Sequence, residues 1–162
     1  MIEKKNFYIN GKWVSPSKPN DFEVINPSTE EAFAIISLGS IEDADKAINA
    51  AKIALETWRE TSKDERLELL KKFDEIYNRR WDEMVKAQST EMGAPLDFAS
   101  ETHTKMGADI SKNTLKILKD FNFEHEFDPK SNNQIRYEPI GVCGLITPWN
   151  FPMNQIVLKV IP

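Results

Sequence analysis

Gly141-Val142-Cys143-Gly144-Leu145-Ile146-Thr147-Pro148-Trp149-Asn150-Phe151-Pro152 is the stretch from which the rest of the chain is read. Gly141 to Ile146 is apolar, uncharged and of strand length. Both of its faces read as buried, the pattern of a strand in a parallel sheet covered on each side. The run stops at a Pro-Trp-Asn-Phe-Pro turn, and Met153 to Pro162 is apolar again, as a helix with Pro152 near its first position. Each proline fixes its own φ and biases the residue before it, Thr147 or Phe151, toward extended geometry, so Asn150 sits between two stiff points. A carboxamide held in that way has two uses. It can cap the following helix, which is the commoner role, or it can donate an N–H to the oxyanion formed when a nucleophile adds to a carbonyl. Losing such a donor costs roughly 10²–10³ in rate.

Composition narrows the class. A length of 162 residues with 40 % hydrophobic content suffices for one ordinary domain and its core. The net charge of −5, with acidic and basic residues interspersed, leaves no basic stripe for nucleic acid. No segment approaches the ~18–20 apolar residues of a membrane span. Met1 to Asn6 has no apolar core of signal-peptide length behind it, so the chain reads as cytoplasmic. A single cysteine excludes an internal disulfide and a multi-cysteine metal site. Cys143, in an apolar run with no neighbouring cation, reads as an inert buried thiol.

In chain order, Phe7 to Val14 predicts a hairpin about Asn10-Gly11, a pair that accepts positive φ at both turn positions, with Tyr8 facing Trp13. A second strand pair, Phe22 to Asn26 and Ala32 to Ser37, flanks Pro27-Ser28-Thr29. Ser40 with Asp43 forms a relative of the capping box, opening a helix whose stripe is Ile41, Ala44, Ile48, Ala51, Leu55 and Trp58. Thr61 or Ser62 starts the next helix, with a break near Asn78-Arg79-Arg80; the arginine pair reads as a solvated face. Gly93 ends that helix and Pro95 opens another, with Leu96, Ala99, His103, Met106, Ile110 and Ile117 on one face. His103 is expected to be a packed core histidine. Phe123 to Phe127 and Gln134 to Glu138 alternate about a polar loop as a half-exposed hairpin, with His125 facing solvent.

The blocks Ile25-Asn26-Pro27-Ser28-Thr29, Glu65-Arg66, Glu91-Met92-Gly93-Ala94-Pro95-Leu96, Glu138-Pro139-Ile140-Gly141-Val142 and Ile146-Thr147-Pro148-Trp149-Asn150-Phe151-Pro152 follow one another in this order. In these blocks the chain resembles the N-terminal third of the NAD(P)-dependent aldehyde dehydrogenases. The resemblance implies an α/β fold in which hairpins and helices pack on the start of a parallel Rossmann-like sheet, left incomplete. Residues 1–121 would belong to the cofactor-binding domain, 122–140 to an oligomerisation hairpin, and 141–162 to the first strand and helix of the sheet.

The resemblance also implies roles. Asn150 would be the oxyanion donor and Lys159 a proton relay, although a lysine at that place also reads as a salt-bridging helix residue. Ile146, Thr147, Pro148 and Trp149 would line NAD or NADP, and Met106, Phe151 and Leu158 the tunnel for a small aldehyde. Val24 and Ile25, through backbone oxygens, and Glu91, through its carboxylate, would hold a structural monovalent cation; no transition metal is implied. In the family a cysteine far downstream of the turn attacks the aldehyde to give a thiohemiacetal, hydride passes to the nicotinamide, and a glutamate activates water. Cys143 lies on the wrong side of the turn for that nucleophile. Ala94 replaces the lysine, and Leu158 the tryptophan, of many members. With neither nucleophile nor general base, and with an apolar run that has no partner strand, the chain reads as part of a longer protein, inactive alone. Coenzyme-A-acylating members, and a non-catalytic interaction module built on the exposed hairpin, are the alternative readings.

Overall fold

A computed structural model describes all residues from Met1 to Pro162. The chain opens with β1 (Ile2–Lys4), then the hairpin β2 (Phe7–Ile9) and β3 (Lys12–Val14), then the longer pair β4 (Asp21–Asn26) and β5 (Glu31–Ser37). The first hairpin turns where local chemistry says it must. Asn10 and Gly11 adopt φ of 52° and 73°, and Tyr8 opposes Trp13 with ring centroids 5.2 Å apart in an edge-to-face arrangement. In the second pair, Asn26 accepts from the backbone of Ser28 and Glu30, and Glu30 takes a positive φ of 60° to close the turn. The sheet order is β1-β5-β4, with β1 parallel to β5, a pairing that local patterns at the N-terminus do not announce.

Six α-helices and one π-helical segment make up the second layer. Both α1 (Ile41–Trp58) and α2 (Lys63–Arg79) begin with complete capping boxes, Ser40 with Asp43 and Ser62 with Glu65. The break expected near Asn78-Arg79-Arg80 is there: α2 stops, Arg80 leaves helical geometry and pairs with Glu83 at 2.7 Å, and α3 (Trp81–Met92) follows. Gly93 ends α3 in the left-handed region at φ 77°, and a Cβ there would lie 2.9 Å from Pro27 Cγ, so glycine is required twice over.

From Pro95 the chain runs as one long helical rod made of α4 (Leu96–Phe98), a π-helical turn (Ala99–Thr104) and α5 (Lys105–Asp120). The wide turn alters the face that the apolar spacing predicts. Ala99 and His103 are buried as expected, but Leu96, Met106 and Ile117 are exposed, and the rod packs instead through Thr104, Gly107, Ala108 and Ser111. Small residues let helices approach closely, which hydrophobicity counting cannot see. Tyr77 of α2 lies over Gly107 and donates to the Thr104 carbonyl at 2.9 Å, while Gln88 of α3 donates to Thr104 Oγ1 at 2.8 Å. Tyr77, Ala108, Val157 and Ile161 form the buried centre, with Phe73, Trp81 and Met84 packed around it.

The hairpin of β6 (Glu124–Glu126) and β7 (Gln134–Arg136) is present and exposed, with His125 stacked on Tyr137 at 5.9 Å. Arg66 lies over both Trp58 and Phe123, tying the end of α1 to the base of this hairpin. Two expectations are corrected. The stripe on α1 is largely exposed, with Ile41 at 83 %, because little of the chain covers it beyond β2 and Arg66. Gly141 to Ile146 forms no strand and is not buried, and Cys143 is exposed with it, because no parallel neighbour exists in the chain to complete its hydrogen bonds.

Candidate functional site

The turn at Thr147 to Pro152 leads directly into α6 (Pro152–Val160), which packs against α5 and the π-helical turn. Pro152 occupies the first helical position, where a missing N–H costs nothing. Phe151 precedes it with φ −144° and ψ 66°, and no side chain caps the helix. Asn150 therefore does not act as the cap that its local sequence favours. Its carboxamide is exposed and makes no hydrogen bond within the chain, which leaves both N–H groups available.

Packed against Phe151 is His103. Its ring is 1 % exposed and lies 4.4 Å from Phe151 and 4.8 Å from Phe98, centroid to centroid, and its Nδ1 is buried without a partner. Burial lowers its pKa from the usual histidine value, so the ring is neutral in the fold. The sequence marks His103 as a core residue, but nothing in the sequence links it to Phe151, 48 positions on.

Of the other expected site residues, Ile146, Thr147, Pro148 and Trp149 are all exposed, Ile146 at 90 %, and Val142 to Asn150 make no backbone hydrogen bonds to the rest of the chain. Met106 on α5 and Leu158 on α6 are exposed on packed helices, while Phe151 is half-buried at the start of α6. Lys159 is half-buried and donates to Gln155 Oε1 at 2.6 Å, so its partner is an amide rather than the carboxylate of a salt bridge.

Val24, Ile25 and Glu91 lie on facing elements, since α3 packs against β4. There β4 is the edge strand and carries a bulge between Val24 and Ile25, so that some of its carbonyls turn away from the ladder. The Glu91 carboxyl has no hydrogen-bond partner, and burial raises its pKa.

Residues 13–162 match the model of the aldehyde dehydrogenase family. Along its whole length the chain is 44 % identical to a 3-succinoylsemialdehyde-pyridine dehydrogenase from a Pseudomonas species, of which it covers 34 %. The crystal structure of an aldehyde dehydrogenase from Bartonella henselae superposes with a TM-score of 0.97 at 52 % identity, over 99 % of this chain and 34 % of that one. An aldehyde dehydrogenase C mutant from Pseudomonas syringae, solved with NAD+ and octanal, gives 0.93 at 36 % identity over 97 % of this chain and 32 % of that one. The chain thus spans about a third of the length of the relatives it matches. With the family's model matched over most of its length, the chain belongs to the aldehyde dehydrogenase family.

Proposed function

We propose that the chain is the N-terminal third of an NAD(P)+-dependent dehydrogenase that oxidises a small aldehyde to its carboxylic acid, with Asn150 donating to the oxyanion. The observation that carries this reading is the free carboxamide of Asn150, exposed and unused as a cap, on a turn anchored by two prolines and by the packing of Phe151. A preorganised donor lowers the barrier because its orientation is set before charge develops on the carbonyl oxygen. Trp149 and the unpaired backbone of Ile146, Thr147 and Pro148 bind and orient the dinucleotide, which when bound supplies the hydride acceptor. Met106, Phe151 and Leu158 exclude water from the carbonyl carbon. Lys159, paired to Gln155, is placed one helical turn beyond and can hold a proton on its Nζ. Val24, Ile25 and Glu91 hold a monovalent cation that braces β4 against α3.

The exposed β6–β7 hairpin supports a role in self-association, in which its free edge pairs with a second subunit. In this reading the nucleophile lies outside these 162 residues, and the chain is inactive by itself.

The test joins this chain to the downstream two thirds of the Bartonella henselae enzyme and follows octanal-dependent NADH formation. Asn150→Ala lowers kcat by roughly 10²–10³ and leaves NAD+ affinity near that of the parent. Unchanged turnover in that variant would remove the oxyanion assignment. Acyl-CoA formation in place of the acid would shift the reading to the acylating branch.

A further inference from the structure

We infer that His103 is a positioning residue for Asn150, acting through Phe151. This rests on the reading of Asn150 as the oxyanion donor. The two aromatic neighbours of His103 come from opposite directions in the sequence, Phe98 from α4 and Phe151 from the residue that both follows Asn150 and precedes the first turn of α6. The His103 and Phe151 rings are tilted by 31° with centroids 4.4 Å apart, so the contact restricts the orientation of the Phe151 ring as well as its distance. Asn150 is joined to Phe151 by a single rigid peptide unit, so a Phe151 ring restricted in orientation limits the angles its neighbour can adopt.

The π-helical turn is what makes this contact. A wide turn takes up an extra residue without breaking the rod, and such turns are frequent at functional sites. Here the wide turn, Ala99 to Thr104, brings His103 and Thr104 inward side by side, at 1 % and 0 % exposure. Thr104 is claimed by Tyr77 and Gln88, which pin the turn against α2 and α3, and Trp81 donates to Ser100 Oγ at 2.9 Å to pin its other side. His103 is left to face the signature turn. Its Nδ1 is buried and unpaired, so hydrogen bonding does not account for its place; packing against Phe151 does.

Three variants of the full-length chimera test this. His103→Ala lowers kcat for octanal by about tenfold to a hundredfold, the range expected when a reacting group is misplaced by about 1 Å, and leaves KM within about threefold. His103→Phe, which keeps a ring against Phe151, restores kcat to within about threefold of the parent. In an Asn150→Ala background, His103→Ala costs less than about threefold more, because the group it positions is already gone. Full additivity of the two substitutions, or a His103→Ala enzyme with parental kcat, overturns the inference and leaves the role of Asn150 standing. An inert Asn150→Ala substitution removes the oxyanion reading and the inference with it. Where His103→Ala does not fold, His103→Leu fills the space without an aromatic face and is read by the same criteria.

A readout that needs no turnover is amide exchange in the 162-residue chain. His103→Ala accelerates exchange at Gln155, whose N–H donates to the Phe151 carbonyl at 2.9 Å, more than at the α5 amides of Ala108 and Ser111. Equal acceleration at both places marks general loosening and overturns the inference.

Discussion

Gly107→Ala is the substitution whose outcome the packing fixes most tightly. A Cβ at Gly107 would overlap the Tyr77 hydroxyl oxygen and lie 2.9 Å from its Cζ, well inside contact distance. Flexible surface residues give way cheaply, but Tyr77 is only 4 % exposed, is packed by Phe73 and Trp81, and is held by its hydrogen bond to Thr104. The ring must recede by roughly 1 Å, an overpacking strain of about 1–3 kcal/mol. Its hydrogen bond, with a net contribution of about 0.5–1.5 kcal/mol, stretches or breaks. Against this stands a gain of about 1 kcal/mol from replacing a helical glycine by alanine. The net is a loss of about 2 kcal/mol, and a urea midpoint lower by about 1 M at the usual slopes for small proteins. The diagnostic step is to repeat the substitution in a Tyr77→Phe background. With the hydroxyl gone the nearest atom is Cζ, and the penalty falls to about 1 kcal/mol, so the two substitutions couple. Strict additivity, or a Gly107→Ala chain as stable as the parent, would refute the claim that this glycine exists to admit the tyrosine.

Three further outcomes follow from single groups. Burial pushes the Tyr77 phenol up to about 12; because the folded pKa is the higher one, its contribution is complete below about pH 10 and is lost as pH rises toward 12, so Tyr77→Phe flattens the alkaline limb of a stability profile. Asp43 accepts from the backbone and hydroxyl of both Ser40 and Ser17, which holds its pKa well below the usual carboxylate range. Its contribution is present above about pH 4 and declines as pH falls, and Asp43→Asn removes that acid-side decline in thermal melts. Glu91→Gln abolishes any rise in Tm produced by replacing a bulky organic cation with potassium or sodium at fixed ionic strength, and an undiminished rise places the cation elsewhere.

Features decided within a few residues were legible in the sequence. Asn10-Gly11 admits few alternatives to a tight turn, and Ser40 with Asp43 became a complete capping box. Asn150 was legible as a stiffly held amide, but whether it capped α6 depended on Phe151 taking the cap position. Less local features were hidden. The π-helical turn has no composition of its own, and it moved the packed face of α5 from Met106 and Ile117 to Gly107, Ala108 and Ser111. The contact of His103 with Phe151 joins helices whose separation only the fold supplies. For Gly141 to Ile146 the pattern was plain, yet a parallel strand exists only with a neighbour, and none is in this chain.

The parallel pairing of β1 with β5 has a consequence for assembly. Ile2 meets Ala34, so β1 has to wait for the β4–β5 ribbon to close before it finds its ladder. Closing that long loop is slow compared with forming a tight hairpin. A bulky fusion placed directly ahead of Ile2 would therefore burden the last event in building this sheet, whereas the same fusion on a spacer would leave the order of events intact.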